Sequence, residues 1–257
     1  MKGLIPLIEK YFEINTPGVN IRCKAYSKEK STVEKAVVCC TGFAGHKDNL
    51  ATRRFAEKLL SKHKDVMVLV FNWPAHGDDV KKKLVLDDCM NYLDLVIHEA
   101  QKRAGQIYTY ATSFGGYLVL KYVSEHDNLF QKIVLRCPAV NMYDVLTGTI
   151  IKTDEYERIM KGKDSLVGFD RKIVVTRSLL DDLKANDIRQ RDFLDYSESI
   201  LILHGTADEV VPFADSRDFA ENNLIEFIPV EGADHRFQNP VHMSLANKYA
   251  MEFMGLS

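Results

Sequence analysis

An α/β fold, built on a mostly parallel sheet covered by helices on both faces, is predicted by two features of this 257-residue sequence. The first is a set of short, uninterrupted apolar runs, Ala36-Val37-Val38-Cys39-Cys40, Val66 to Phe71 and Ile200 to Leu203. Continuous apolarity, rather than alternation, marks strands buried on both faces. The second is that helical patterns separate these runs, and parallel strands need such crossovers.

In chain order, Leu7 to Ile14 and Ile21 to Tyr26 flank Thr16-Pro17-Gly18, which predicts an N-terminal antiparallel hairpin. After the strand at 36–40, Phe55, Leu59 and Leu60 fall on one face of a helix from about Leu50 to His63. Beyond the strand at 66–71, Leu86, Met90, Leu93 and Ile97 define a longer helix from about Val85 to Arg103. Lys81-Lys82-Lys83 reads as its solvated start. A strand from Gln106 stops at Ser113, a helix follows, and Lys132 to Arg136 forms another strand. From Ala139 to about Asp195 the pattern lapses into mixed, charged sequence with one helical piece, Arg177 to Ala185. It resumes with a strand at Ile200, a helix from Phe213 to Asn222, a strand from Ile225 to Val230 and a final helix from Val241 to Phe253. The expected organisation is a core of 1–138 and 196–257 interrupted by a small lid-like insertion at 139–195.

With 34 basic and 36 acidic side chains, the net charge of −2 supplies no field to attract nucleic acid, and none is expected as a partner. No run approaches the ~20 apolar residues of a membrane span. The apolar patch Met1 to Pro6 is too short for a secretion signal. The five cysteines are odd in number and without metal-type spacing. Cys39 and Cys40, adjacent within an apolar run, read as buried thiols of a reducing compartment, so a cytoplasmic protein is expected. No metal or cofactor is implied, since neither a ligand cluster nor a phosphate-binding glycine loop is present.

The chemistry concentrates where strands end. In Ala111-Thr112-Ser113-Phe114-Gly115, a strand turns through a serine directly into a helix, with small residues on either side. Such an elbow lifts the serine hydroxyl above the sheet and aims the helix N-terminus at a developing negative charge. A serine needs a base, and the base needs an orienting group. Asp208 follows the strand at 200–203, and His235 follows the strand at 225–230. All three sit at C-terminal strand ends, where open parallel sheets bind ligands. Their order of Ser, Asp, His is that of hydrolases with a nucleophile elbow. Two N–H donors are expected to bind an oxyanion, one from Phe114 and one from Phe43 in Thr41-Gly42-Phe43-Ala44-Gly45.

"TGFAGHKDN", "FNWPAHGDD", "ATSFGG", "HGTADEVVP" and "EGADHRF" together make the sequence resemble the α/β-hydrolases, closest to serine esterases that include the cinnamoyl and feruloyl esterases. The likeness spans nearly the whole chain. It implies Ser113 as nucleophile, His235 as base, Asp208 as orienting acid, and an ester as the small-molecule substrate. Thr41 stands where that family usually has His, and Ala111 where it usually has Gly. Segment 139–195 resembles those esterases' small lid. A peptidase or amidase, a thioesterase, and a binding protein that retains the fold remain the alternatives.

Other polar residues have plainer readings. Asp234 is expected to hold its loop, His204 to be buried against a backbone group, and His46 and His76 to be loop hydrogen-bonders. Trp73 and His46 are also candidates for the pocket wall, Trp73 equally for the core. Cys40 and Cys137 lie outside any elbow and are not expected to be nucleophiles.

Overall fold

The computed structural model describes residues 7–28 and 32–257; the apolar patch Met1 to Pro6 lies outside the described residues. β1 (Leu7–Thr16) and β2 (Val19–Lys28) form the antiparallel hairpin. Its two-residue turn, Pro17-Gly18, needs the positive φ of 77° that Gly18 adopts. The core continues through β3 (Lys35–Cys40), α1 (Leu50–Lys62), β4 (Val66–Phe71), α2 (Leu86–Gln101), β5 (Gln106–Thr112), α3 (Phe114–Glu125) and β6 (Ile133–Arg136). The inserted segment holds α4 (Met142–Val145), a π-helical turn at Leu146–Ile150, α5 (Thr153–Met160), β7 (Ser165–Val167), β8 (Ile173–Val175) and α6 (Arg177–Ala185). The core closes with β9 (Ile200–Gly205), α7 (Phe213–Asn222), β10 (Glu226–Val230) and α8 (Pro240–Phe253).

Eight strands form one sheet in the order β1-β2-β4-β3-β5-β6-β9-β10, parallel from β4 to β10. The hairpin joins through the antiparallel pairing of β2 with β4. Why β3 is apolar throughout is visible in its packing. Ala36, Val38 and Cys40 face one buried cluster with α2 and α3, while Val37 and Cys39 face the other with α1 and α8. The chain steps from β3 outward to β4, then crosses back to place β5 on the other side of β3. That reversal opens a crevice at the C-terminal ends of β3 and β5. It brings the loop after Cys40 beside the turn after Thr112, since Cys40 pairs with Ala111.

Two local expectations are corrected. Lys81 to Lys83 are not a helix start. Val85 is extended (φ −127°, ψ 133°), and the first turn of α2 carries Asp87 and Asp88. Carboxylates suit a helix N-terminus and ammonium groups do not. Instead Lys83 bridges to Val174 of β8, and Lys81 pairs with Asp88 at 2.7 Å. The inserted segment also contains more than one helical piece. Its Val167, Ile173, Val175, Leu179, Leu180 and Leu183 are buried in the same cluster as α2 and α3. All five cysteines are free and buried. Among the described residues, no helix is long and apolar enough to cross a membrane.

Candidate active site

Ser113 is the hinge between β5 and α3, held at φ 53° and ψ −117°. A non-glycine residue at positive φ costs of order 1–3 kcal/mol and persists only where its surroundings over-determine it. They do so here. The Ser113 N–H donates to the Arg136 carbonyl (3.0 Å), and its carbonyl accepts from Tyr117 (3.1 Å) and Ala139 (3.3 Å). The turn also requires Gly115, where a Cβ would lie 2.4 Å from the Cys40 carbonyl oxygen. Helix α3 therefore starts in direct backbone contact with the end of β3.

Opposite the serine stands the loop Thr41 to Gly45. Gly42 lies so close that a Cβ there would be 3.3 Å from the Ser113 Cβ. Gly45 donates to the Gly42 carbonyl (2.9 Å), closing a turn whose third residue, Ala44, takes φ 60°. This turn makes no use of the Phe43 N–H. Phe114 is the first residue of α3, so its N–H has no acceptor within the helix. The two rings pack edge to face, with centroids 6.2 Å apart.

The carboxylate and imidazole come from the loops after β9 and β10. These loops are pinned together: Ala207 donates to the Ala233 carbonyl (3.1 Å), and Gly232 to the Thr206 hydroxyl (2.8 Å). Gly205 permits this, since a Cβ there would sit 2.1 Å from the Ala233 oxygen. His235 Nδ1 lies 2.8 Å from Asp208 Oδ2. A carboxylate accepts, so Nδ1 carries the proton and Nε2 is left unprotonated. Asp208 Oδ1 accepts from the N–H groups of Val210 and Val211, both at 2.8 Å. Asp234 holds its own loop by accepting from the Gln238 N–H (2.9 Å).

His204, fully buried at the end of β9, places Nε2 3.1 Å from Asp208 Oδ2 and 3.2 Å from the Val211 carbonyl oxygen. Its contact with a backbone oxygen was expected; its contact with Asp208 was not. Burial opposes ionisation of Asp208, but hydrogen bonds from His204 and His235 outweigh it and hold the carboxyl well below the usual range. Cys137, His204 and Asp208 bring ligand-type atoms within 4.8 Å of one another. Both Asp208 oxygens are already engaged by N–H donors, and burial drives the Cys137 thiol pKa well up. The cluster is thus accounted for by hydrogen bonding.

Ser113 and His235 line one cavity of ≈ 380 Å³, together with Gly42, Phe43, His46 and Arg136. Ile150, Phe169, Asp170 and Arg171 of the inserted segment supply another wall. His46 Nδ1 accepts from the Asp48 N–H (3.2 Å), and burial with the nearby Arg171 charge lowers its pKa. Trp73 is not on the wall. It is fully buried, stacks edge-on against Phe71 (4.5 Å), and donates from Nε1 to the Thr41 carbonyl (2.8 Å). It braces the Phe43 loop from behind. His76 is buried against both the Phe43 and Phe114 rings, and burial lowers its pKa to about 4.

Residues 70–255 match the sequence profile of the prolyl oligopeptidase family. The chain belongs to that family. It has the α/β-hydrolase fold and is a hydrolase. No curated protein matches it. Est1E from Butyrivibrio proteoclasticus, in a structure with ferulic acid bound, shares the fold at a TM-score of 0.77 and 21% identity, over 95% of this chain and 97% of that one. A putative hydrolase from Agrobacterium vitis S4 superposes at 0.72 with 18% identity, covering 96% and 99%. The Pyrococcus furiosus esterase Pf2001 does so at 0.67 with 17% identity, covering 97% and 92%.

Proposed function

We propose that this hydrolase cleaves carboxylic esters through Ser113, His235 and Asp208. The observation that carries the reading is the pairing of a strained serine elbow with an imidazole on the same cavity, the imidazole's far nitrogen bonded to a buried carboxylate 2.8 Å away. Ser113 Oγ attacks the ester carbonyl as His235 Nε2 takes its proton. Asp208 fixes the tautomer and stabilises the imidazolium. The N–H groups of Phe43 and Phe114 receive the oxyanion. The proton then passes to the departing alcohol, and water, activated by His235, releases the acid. No cofactor enters these steps.

Peptide cleavage is the second reading, favoured by the name of the family. A peptide amine would call for an unpaired carboxylate at the cavity. Asp170 is the carboxylate on its wall among the described residues, and it pairs with Arg236 at 3.2 Å. The test is turnover of nitrophenyl butyrate, a butyryl thioester and aminoacyl anilides by the wild type and by Ser113→Ala. We expect ester turnover to exceed anilide turnover and to fall roughly 10⁴-fold or more in the variant. Equal rates for the two proteins would leave a binding protein with this fold, and a preference for anilides would leave a peptidase.

A further inference from the structure

Arg136 is the last residue of β6, paired in register with Thr112 on β5. Its Cα is therefore about 5 Å from that of the residue preceding Ser113. The side chain shares the sheet face of Val134 and Tyr110, and it lines the cavity that Ser113 and His235 line. It is 7% exposed, and its Nε is buried without a hydrogen-bond partner. Nη1 approaches the Met243 sulfur at 3.1 Å, and the guanidinium lies 5.1 Å over the Phe237 ring. The Tyr110 hydroxyl also lies within hydrogen-bonding reach of the side chain, and none of these three neighbours carries negative charge. Among the described residues no carboxylate pairs with Arg136. A fork of charged donors withdrawn from water, without a carboxylate partner among the described residues and on the wall of the cavity that Ser113 lines, has the chemistry to receive a planar anion.

Resting on the ester reading of the same cavity, we infer that the substrate is an ester that also bears a carboxylate, and that Arg136 binds this carboxylate. Of the three arginines that line the cavity, Arg171 and Arg236 are exposed and Arg136 is buried, and one buried guanidinium matches one negative charge. The carboxylate does not react. The bond that breaks is the ester C–O, the bond that forms in its place is from Ser113 Oγ, and the proton leaves with the alcohol through His235. Asp170, already paired with Arg236, offers no competing attraction for a cationic substrate.

The test compares monoethyl succinate, with its carboxylate on the acyl side, ethyl butyrate, its uncharged counterpart, and the butyryl ester of glycolate, with the carboxylate on the alcohol side. Proton release is followed for the wild type, Arg136→Met and Arg136→Lys. In the wild type, kcat/KM for one carboxylate-bearing ester is expected to exceed that for ethyl butyrate by roughly tenfold or more. Which one does so tells the acyl from the alcohol side. The ratio should collapse in Arg136→Met and recover in part in Arg136→Lys. Calorimetry with succinate, free of any turnover, should show binding to the wild type and none to Arg136→Met. Turnover of all three esters without preference in the wild type, which needs no variant to fold, would overturn the carboxylate receptor and leave the ester reading standing. Succinate binding that depends on Arg136 without turnover of any ester would do the reverse. Binding of inorganic phosphate in place of succinate would overturn the carboxylate assignment.

Discussion

The rim of the sheet and the inserted segment are made differently. At the rim, backbone touches backbone: Gly115 against Cys40, Gly42 against Ser113, Gly205 against Ala233. Each contact leaves no space for a Cβ or barely enough, and Ser113, Ala44 and Cys137 are bent to positive φ. In the segment from Ala139 to Asp195, side chains do the packing. Val167, Leu179, Leu180 and Leu183 are buried against the core, while Gly148 has nothing within 4 Å of where a Cβ would stand. Gly168, in the turn between β7 and β8, is the exception, since a Cβ there would meet the Arg171 carbonyl oxygen at 2.2 Å. The difference teaches that the rim is specified backbone atom by backbone atom at several points, and the insertion at that one turn and otherwise by the volume and polarity of its side chains.

Changes at the rim should therefore dominate. The largest expected effect is on turnover: Asp208→Asn should lower kcat by about 10⁴-fold, because the amide no longer selects the Nδ1–H tautomer of His235. Steady-state kinetics on a folded variant measures it. A drop below about tenfold would mean that His235 is oriented by something else.

The next effect is on stability and pH. Buried His76 has a pKa lowered to about 4, against about 6.5 when unfolded, so between these values the unfolded chain binds more protons. The stability that comes from keeping His76 neutral is complete above about pH 6.5 and is lost as pH falls toward 4, amounting to about 3 kcal/mol. Denaturant midpoints of wild type and His76→Gln across this window should converge as pH falls. Asp208 behaves differently. Its depressed carboxyl contributes fully above its unfolded value of about 3.9 and fades only below that.

Gly115→Ala comes third. Its added carbon meets a carbonyl rather than a movable side chain, so a loss of roughly 1–3 kcal/mol is expected, read as a lower Tm. The smallest effect belongs to the insertion. Gly148→Ala adds a methyl group in open space on a helical turn and should change stability by less than about 1 kcal/mol, in the stabilising direction. A large loss there would erase the contrast between the two regions.

The same contrast decides what could be read from the sequence. β3, β4 and β9 are legible because burial on both faces demands unbroken apolar runs. Ser113, Asp208 and His235 are legible as positions because each follows a strand, the buried β5 and β9 and the edge strand β10. The pairs that tie His204 to Asp208 and Trp73 to the Thr41 carbonyl are not, since both come from folding distant or turning backbone into contact. Trp73 is apolar enough for either wall or core, and only tertiary packing chooses. In the insertion, β7 and β8 span three residues each, too few to show a period of two. Arg136 reads as a strand end; that no carboxylate among the described residues pairs with it belongs to the fold.

The most direct test of the account is covalent capture of the nucleophile. The wild type is treated with a fluorophosphonate, and the modified residue is located by peptide mass spectrometry, with His235→Ala treated alongside. One adduct on Ser113 is predicted, its formation slowed by roughly a hundredfold or more without the imidazole. Modification of another residue, or capture of Ser113 at the same rate in both proteins, would contradict it.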